Sequence, residues 1–228
     1  MKIVFLTDSY GGPRVHKNVV SVTKEQTYPE LVKTVLEQQG HQVEVDYASF
    51  RRVVDLPELM KKYPCADVYI FQAGVVDVYP RVLNQKMTLS QSFFAKSIRR
   101  IIRLNRAFFV KYVHSKSWST NAEICNAFEQ ILKTPNAKFV WINVAPVNKR
   151  MDKETPGYNQ SLINFNALLK KQVAHLKNVW ILDAYGLLLG QSDFDSYIHE
   201  GDSHLNVKGN QLYAQLILDG LSKNSILQ

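Results

Sequence analysis

Residues 2–12 read "KIVFLTDSYGG": an unbroken apolar run, Ile3 to Leu6, that stops at an acid, a hydroxyl and two glycines. Apolar residues without alternation are the pattern of a parallel strand covered on both faces. The run is too short, and too soon broken by Asp8, to serve as a signal segment or a membrane span. The residues just beyond the run decide more. Asp8 and Ser9 stand where the strand ends, and a hydroxyl there is either the cap of the next turn or a nucleophile.

Further along, the pattern of the first strand recurs and alternates with helical periodicity. "TYPELVKTVLEQQG" (27–40) reads as a helix, with Thr27 and Glu30 at capping-box spacing and Gly40 as its stop. "HQVEVDYA" reads as a second, less buried strand, "LPELMKKY" as a short helix and "ADVYIFQAG" as a third strand. "TLSQSFFAKSIRRIIRLNRAFFVKYV" has helical period. "AKFVWINVAP" and "NVWILDAYG" are the fourth and fifth strands, with a helix from about Asn159 to Leu176 between them and a last helix after His204. Alternating strands and helices predict an α/β three-layer sandwich around a parallel sheet. The expected strand order is the flavodoxin-like 2-1-3-4-5, with its switch point between strands 1 and 3. Ligands bind such sheets at the carboxyl ends of the strands at that point, which brings "DSYGG" and the "GVVD" after strand 3 to one crevice, with Ser9 and Gly74 as neighbours.

Length and composition suit one soluble globular domain spanning residues 1–228, at 46% hydrophobic and 21% charged residues. Cys65 and Cys125 suggest neither a disulfide framework nor a metal site, which fits a reducing cytoplasm. The net charge of +8 is local. From Val78 to Ala122 there are nine bases and no acid, while the remaining 19 bases face 20 acids. The segment of about 81–122 is therefore expected to be a basic helical insertion. Phe94, Ile98, Ile101, Ile102, Phe108, Phe109 and Tyr112 can share one side of it, and Lys96, Arg99, Arg103 and Arg106 another. It is either a solvated helix packed on the domain or a surface for an anionic membrane or a phosphate-bearing substrate. Nucleic acid is least favoured, because no recognised binding motif is present.

A serine becomes a nucleophile beside a histidine that a carboxylate orients. Of six histidines, His204 stands out: it lies in the polar loop "EGDSHLNVKG" before the last helix, two residues after Asp202. A loop on that side of the sheet can bring it over the switch point. A phosphate-cradling reading of "DSYGG" is weak, because neither a P-loop ending nor G-x-G-x-x-G is present.

Taken together, "TDSYG", "GVVD" and "DSHLN", followed by "HLNVKGNQLYA", resemble the blocks of the SGNH hydrolases, the GDSL-type esterase and acyltransferase superfamily. The resemblance covers nearly the whole chain. It implies a flavodoxin-like sheet, Ser9 as nucleophile, His204 as base, Asp202 as its orienting acid and an oxyanion hole that includes the N–H groups of Ser9 and Gly74. It implies no metal and no cofactor. The substrate it suggests is a small-molecule or glycan ester, with O-acetylated sugars as an example. By position, Asp8, Arg14, His16, Asp77 and Arg81 are candidate contacts, Arg14 and His16 because they lie just past Ser9 and could meet an anionic substrate. Asp77 has a second reading as a structural tie for its loop. The departures are specific. Thr7 replaces a glycine, no glycine follows strand 2, Val76 stands at the oxyanion-hole asparagine, and Gly201 rather than an acid lies three residues before His204. Arg81, Asn143 and Asn148 are candidate replacements for the asparagine. Because of Val76, a non-catalytic glycan- or partner-binding module is the alternative to a serine-dependent esterase or O-acyltransferase.

Overall fold

The computed structural model describes residues 1–16, 19–113, 115–199 and 202–227, with His16 and Val19 as backbone only. Its strands are β1 (Lys2–Thr7), β2 (Arg14–His16), β3 (Val19–Val22), β4 (Gln42–Tyr47), β5 (Val68–Gln72), β6 (Lys138–Ile142) and β7 (Val179–Leu182). Five of them form one sheet in the order β4-β1-β5-β6-β7, every pair parallel. Setting aside the separate β2–β3 hairpin, this is the 2-1-3-4-5 order expected from the alternation.

The two-residue period of a strand sends alternate side chains to opposite faces. Val4, Leu6, Tyr69, Phe71, Phe139 and Trp141 pack on one side against Phe128 and Ile131 of helix Asn121–Leu132 and Leu162 and Phe165 of helix Tyr158–Val173. Ile3, Phe5, Ile70, Val140 and Ile142 pack on the other, against Val32 and Leu36 of helix Tyr28–Gln38 and Tyr213 and Ile217 of helix Val207–Lys223. Every residue of β5 is buried. Aromatic contacts cross the first face, with Trp141 centred 4.9 Å from both Phe71 and Phe128.

Four features depart from the sequence expectations. The β2–β3 hairpin is an addition to the expected elements; it is short and leaves Val15 and Val20 exposed. Thr27 and Glu30 do not form a capping box: the Thr27 hydroxyl donates to the Lys24 carbonyl at 2.7 Å, and Glu30 pairs with the Lys24 ammonium at 3.3 Å. A box does form at Thr120 and Glu123, heading a helix that periodicity alone does not single out. The helical stretch after strand β5 is three helices, Gln85–Leu89, Phe93–Leu104 and Arg106–Tyr112, the last two broken at Asn105.

This helical excursion leaves and rejoins the body at one place. Arg81 and Lys116 form an antiparallel bridge through N–H···O=C bonds of 3.1 and 2.8 Å. Beside it, the Asp77 carbonyl accepts from Trp118 N–H at 3.0 Å and its carboxylate from the Ser119 hydroxyl at 2.6 Å and Val53 N–H at 2.8 Å. Among the described residues no helix is long and apolar enough to cross a membrane.

Candidate active site

The parallel sheet puts the ends of β1 and β5 side by side, joined by Asp8 N–H donating to the Gln72 carbonyl at 2.9 Å. Directly after β1 the chain makes one 3₁₀ turn, Ser9–Gly11. The cap of that turn is Asp8, whose Oδ1 accepts from Tyr10 N–H at 2.9 Å. Ser9 is therefore not the cap, and its hydroxyl is free for another partner. That partner is His204, with Ser9 Oγ 2.9 Å from His204 Nε2.

His204 comes from the loop before helix Val207–Lys223, and the sequence around it fixes the loop at both ends. Asn206 caps the helix, its Oδ1 accepting from Gly209 N–H at 3.0 Å. A Cβ on Gly209 would lie 2.2 Å from the Tyr197 carbonyl, so the start of the helix can seat only with glycine there. His199 N–H donates to the His204 carbonyl at 2.7 Å, and Ile198 bridges Leu205. From helix Val207–Lys223, Asn210 Oδ1 accepts from Tyr28 N–H at 2.8 Å, tying it to helix Tyr28–Gln38 behind Ser9.

Asp202 reaches the histidine despite its spacing. Its Oδ1 accepts from His204 N–H at 2.8 Å and lies 3.1 Å from His204 Nδ1. A tight Asx turn thus lets an acid two residues before the histidine reach the ring, in place of one three residues before. Gly201, at that other position, lies outside the described residues. Burial alone would raise the Asp202 carboxyl, but the bonds from His204 and the Arg14 charge outweigh it and hold it well below the ordinary carboxylate range. For His204, burial pushes the ring below its ordinary value, Asp202 opposes this and Arg14 adds to it.

Arg14, from β2, adds a fourth member. Its Nη2 donates to Asp202 Oδ2 and sits 2.7 Å from His204 Nδ1. Two proton placements are open to this group, and they exclude each other. With Nδ1–H donated to Asp202, Nε2 is bare and can accept from Ser9. With Arg14 donating to a bare Nδ1, Nε2 carries the proton and Ser9 can only accept. Only the first arrangement can activate the serine.

A cleft of about 280 Å³ opens over these groups. Its wall includes Ser49 and Phe50 after β4, Val75 and Val76 after β5, and Tyr79, Arg81 and Tyr158. Val76, at the asparagine position, faces this cleft and offers no side-chain donor. Gly74 lies at the end of β5 with φ +129°, and a Cβ there would come within 2.4 Å of the Phe165 ring. Its glycine is required by conformation and by packing alike.

The other sequence candidates separate. Asp8 and Asp77 are fully buried and bonded to protein, so neither can contact a substrate. Burial raises Asp8 to about 7 and Asp77 to about 6. Asn143 is held by Asp183 and Tyr185 in a different depression, and Asn148 caps helix Lys149–Glu154, so neither replaces the missing asparagine. The side chain of His16 lies outside the described residues. Arg81 does line the cleft. One N–H group donates to the Val76 and Tyr79 carbonyls at 2.6 and 3.3 Å, and the guanidinium lies over the rings of Trp118 and Tyr79 at 3.8 and 4.7 Å. Burial lowers it to about 10, which leaves it a cation at neutral pH. Tyr10, not singled out in the sequence, packs its ring 5.1 Å from His204 and donates its hydroxyl to the Ser203 carbonyl. Among the described residues no three His, Cys, Asp or Glu side chains converge to hold a metal.

No protein-family model matches the sequence, and no curated protein matches it. Solved structures do match in shape. A lipase/acylhydrolase from Enterococcus faecalis aligns over 97% of this chain and 95% of its own, at 16% identity and a TM-score of 0.65. A catalytic mutant of Axe2, an acetylxylan esterase from Geobacillus stearothermophilus, aligns over 96% and 93% at 14% identity and 0.61. Est24, a carbohydrate acetylesterase from Sinorhizobium meliloti, aligns over 97% and 98% at 14% identity and 0.58.

Proposed function

We propose that this chain, which has the fold of the SGNH hydrolases, is a serine-dependent ester hydrolase of that superfamily. The observation that carries the reading is the linear array Ser9 Oγ, His204 Nε2 and Nδ1, and Asp202 Oδ1, with steps of 2.9 and 3.1 Å. Ser9 Oγ attacks the ester carbonyl carbon as His204 Nε2 takes its proton. Asp202 holds the resulting imidazolium. The tetrahedral oxyanion collapses, the C–O bond to the alcohol breaks, and His204 returns the proton to the departing oxygen. Water then attacks the acyl-serine by the same steps in reverse. If a hydroxyl takes the place of water, the same groups perform O-acyl transfer.

The backbone N–H groups of Ser9 and Gly74 are the proposed oxyanion donors, and Arg81 supplies the charge that the asparagine's dipole would otherwise give. Removing one such donor typically costs ~10²–10³ in rate, so the substitution at Val76 needs an offset of that size. The small cleft suits a short acyl group, and the acetylesterases among the structural neighbours suggest an O-acetylated sugar. The test is labelling by a fluorophosphonate probe together with turnover of p-nitrophenyl acetate. Intact protein should be labelled at Ser9 and turn over the ester; Ser9→Ala should do neither. A folded protein that is neither labelled nor active would instead fit the non-catalytic binding module.

A further inference from the structure

Unlike an ordinary surface helix, helix Phe93–Leu104 of the excursion leaves a large part of its apolar surface uncovered. At about 3.6 residues per turn, helix Phe93–Leu104 divides into three strips. Ala95, Ile98, Arg99 and Ile102 turn inward, toward the side of helix Gln85–Leu89. Arg99 is consumed there, donating to the Met87, Thr88 and Ser90 carbonyls at 3.1, 2.7 and 2.6 Å. Arg106 likewise turns inward, to the Thr155 hydroxyl at 2.7 Å and over the Tyr79 ring at 4.4 Å. Phe93, Phe94, Ile101 and Leu104 point outward, and Phe108 and Tyr112 extend the same exposure onto the next helix. Phe93 is 87% exposed, Leu104 72% and Phe94 69%. The third strip, beside the outward one, carries the exposed Lys96, Arg100 and Arg103. Isolated exposed apolar residues are ordinary, but a run of six across two helices marks an interaction surface.

We propose that this outward face docks on the surface of an anionic lipid bilayer. Charge selects the occupant. Between Val78 and Ala122 there is no acidic residue. The acid that lies beside Leu104 and Phe108, Glu154, is paired with Arg150 at 2.8 Å and accompanied by Lys153, so the border of the apolar strip is net cationic. A second copy meeting this face across a two-fold axis would set the same excess of cations against itself, with Glu154 already paired to Arg150. An anionic bilayer neutralises them and takes up the aromatic and leucine side chains, which is the composition of helices that lie in a membrane interface. Each basic residue near such a surface is worth roughly fivefold in partition. The segment joins the body at Arg81, which also lines the cleft, so docking would hold the cleft beside the membrane.

The inference is independent of whether Ser9 is a nucleophile. The test is co-sedimentation of the full chain with vesicles of phosphatidylcholine alone and of phosphatidylcholine with phosphatidylglycerol, at low and high salt. Wild type should bind the anionic vesicles at least tenfold better than the neutral ones. The variant F93S/F94S/L104S should lose at least tenfold in binding to anionic vesicles while keeping its melting temperature. The variant K96Q/R100Q/R103Q should lose the preference for anionic lipid. Three results would overturn the proposal: equal binding to both vesicle types; undiminished binding by the apolar variant, which would leave only adsorption of charge; or a stable wild-type dimer in light scattering that the apolar variant dissociates, which would make a second copy the occupant.

Discussion

The cleft and the helical excursion hold arginines in opposite ways. In the cleft, Arg14 meets a carboxylate and a histidine, and Arg81 lies between two aromatic rings with one N–H group on carbonyls. Each is positioned to act on what enters. In the excursion, Arg99 places one nitrogen on three carbonyls at the end of the preceding helix, while Phe93, Phe94 and Leu104 face water beside the exposed Lys96, Arg100 and Arg103. A charged residue's place is set by what can satisfy it. A guanidinium has several donors and a long apolar stem, so it can be an interior residue where backbone carbonyls converge.

The largest effects are expected in the cleft. Ser9→Ala and His204→Ala should each reduce ester turnover by about 10⁶-fold, and the double variant should be no worse, because the members of such a unit do not add. A doubly additive loss measured with p-nitrophenyl acetate would mean the two residues act separately. Asp202→Asn should cost about 10⁴-fold with little change in melting temperature, since it leaves the ring in place with the wrong tautomer. Arg81→Met should lower kcat/KM by ~10²–10³ if the guanidinium stands in for the asparagine. By contrast F93S/F94S/L104S should leave turnover of a small soluble ester within a factor of two, because the apolar strip touches none of the reacting groups.

Two further experiments sharpen the electrostatics. His204 is held below its ordinary value, so the acid limb of kcat/KM should fall below pH 6.5. Arg14→Gln removes a neighbouring cation that disfavours the imidazolium, and the limb should move up in pH. The smallest effect concerns Asp8. Its folded state keeps the proton up to about 7, whereas the ordinary value is 3.8. Between those values the native state binds more protons than the unfolded one, so stability falls as pH rises through that window and levels off above it. Asp8→Asn can still accept from Tyr10 N–H and should reduce that dependence in urea unfolding between pH 4 and 8, leaving the part that Asp77, raised to about 6, contributes with the same sign. An unchanged slope would place the titration elsewhere.

Much of this architecture was legible in the sequence, for a physical reason. Strands buried on both faces, such as Ile3–Leu6 and Val68–Gln72, need unbroken apolar runs that no surface element shares. The pair Ser9 and His204 was legible because topology places the ends of β1 and of the final loop together. The hairpin Arg14–Val22 was not: its strands are short and half exposed, and it buries too little to impose a pattern. Helical period located the segment after Val78 but could not say which face turns inward, because periodicity measures segregation and not direction. The rule that apolar faces the core failed at Phe93 and Phe94, where carbonyls waiting for Arg99 decided the orientation. Val76 was legible as a departure, yet the packing of Arg81 rests in part on Trp118, which arrives from the far end of the excursion.

The bridge between Arg81 and Lys116 has a consequence for how such a chain can change. Because the path out and the path back are hydrogen-bonded to each other, everything between them is a closed detour whose length the sheet does not register. Lengthening such a detour is inexpensive, about 0.6 kcal/mol for each doubling of a flexible loop. The helices between the two bridge residues can be shortened, extended or exchanged for another set without moving Ser9 or His204. One sheet and its cleft can in this way be delivered to different surfaces by rewriting only the part of the gene that encodes the detour.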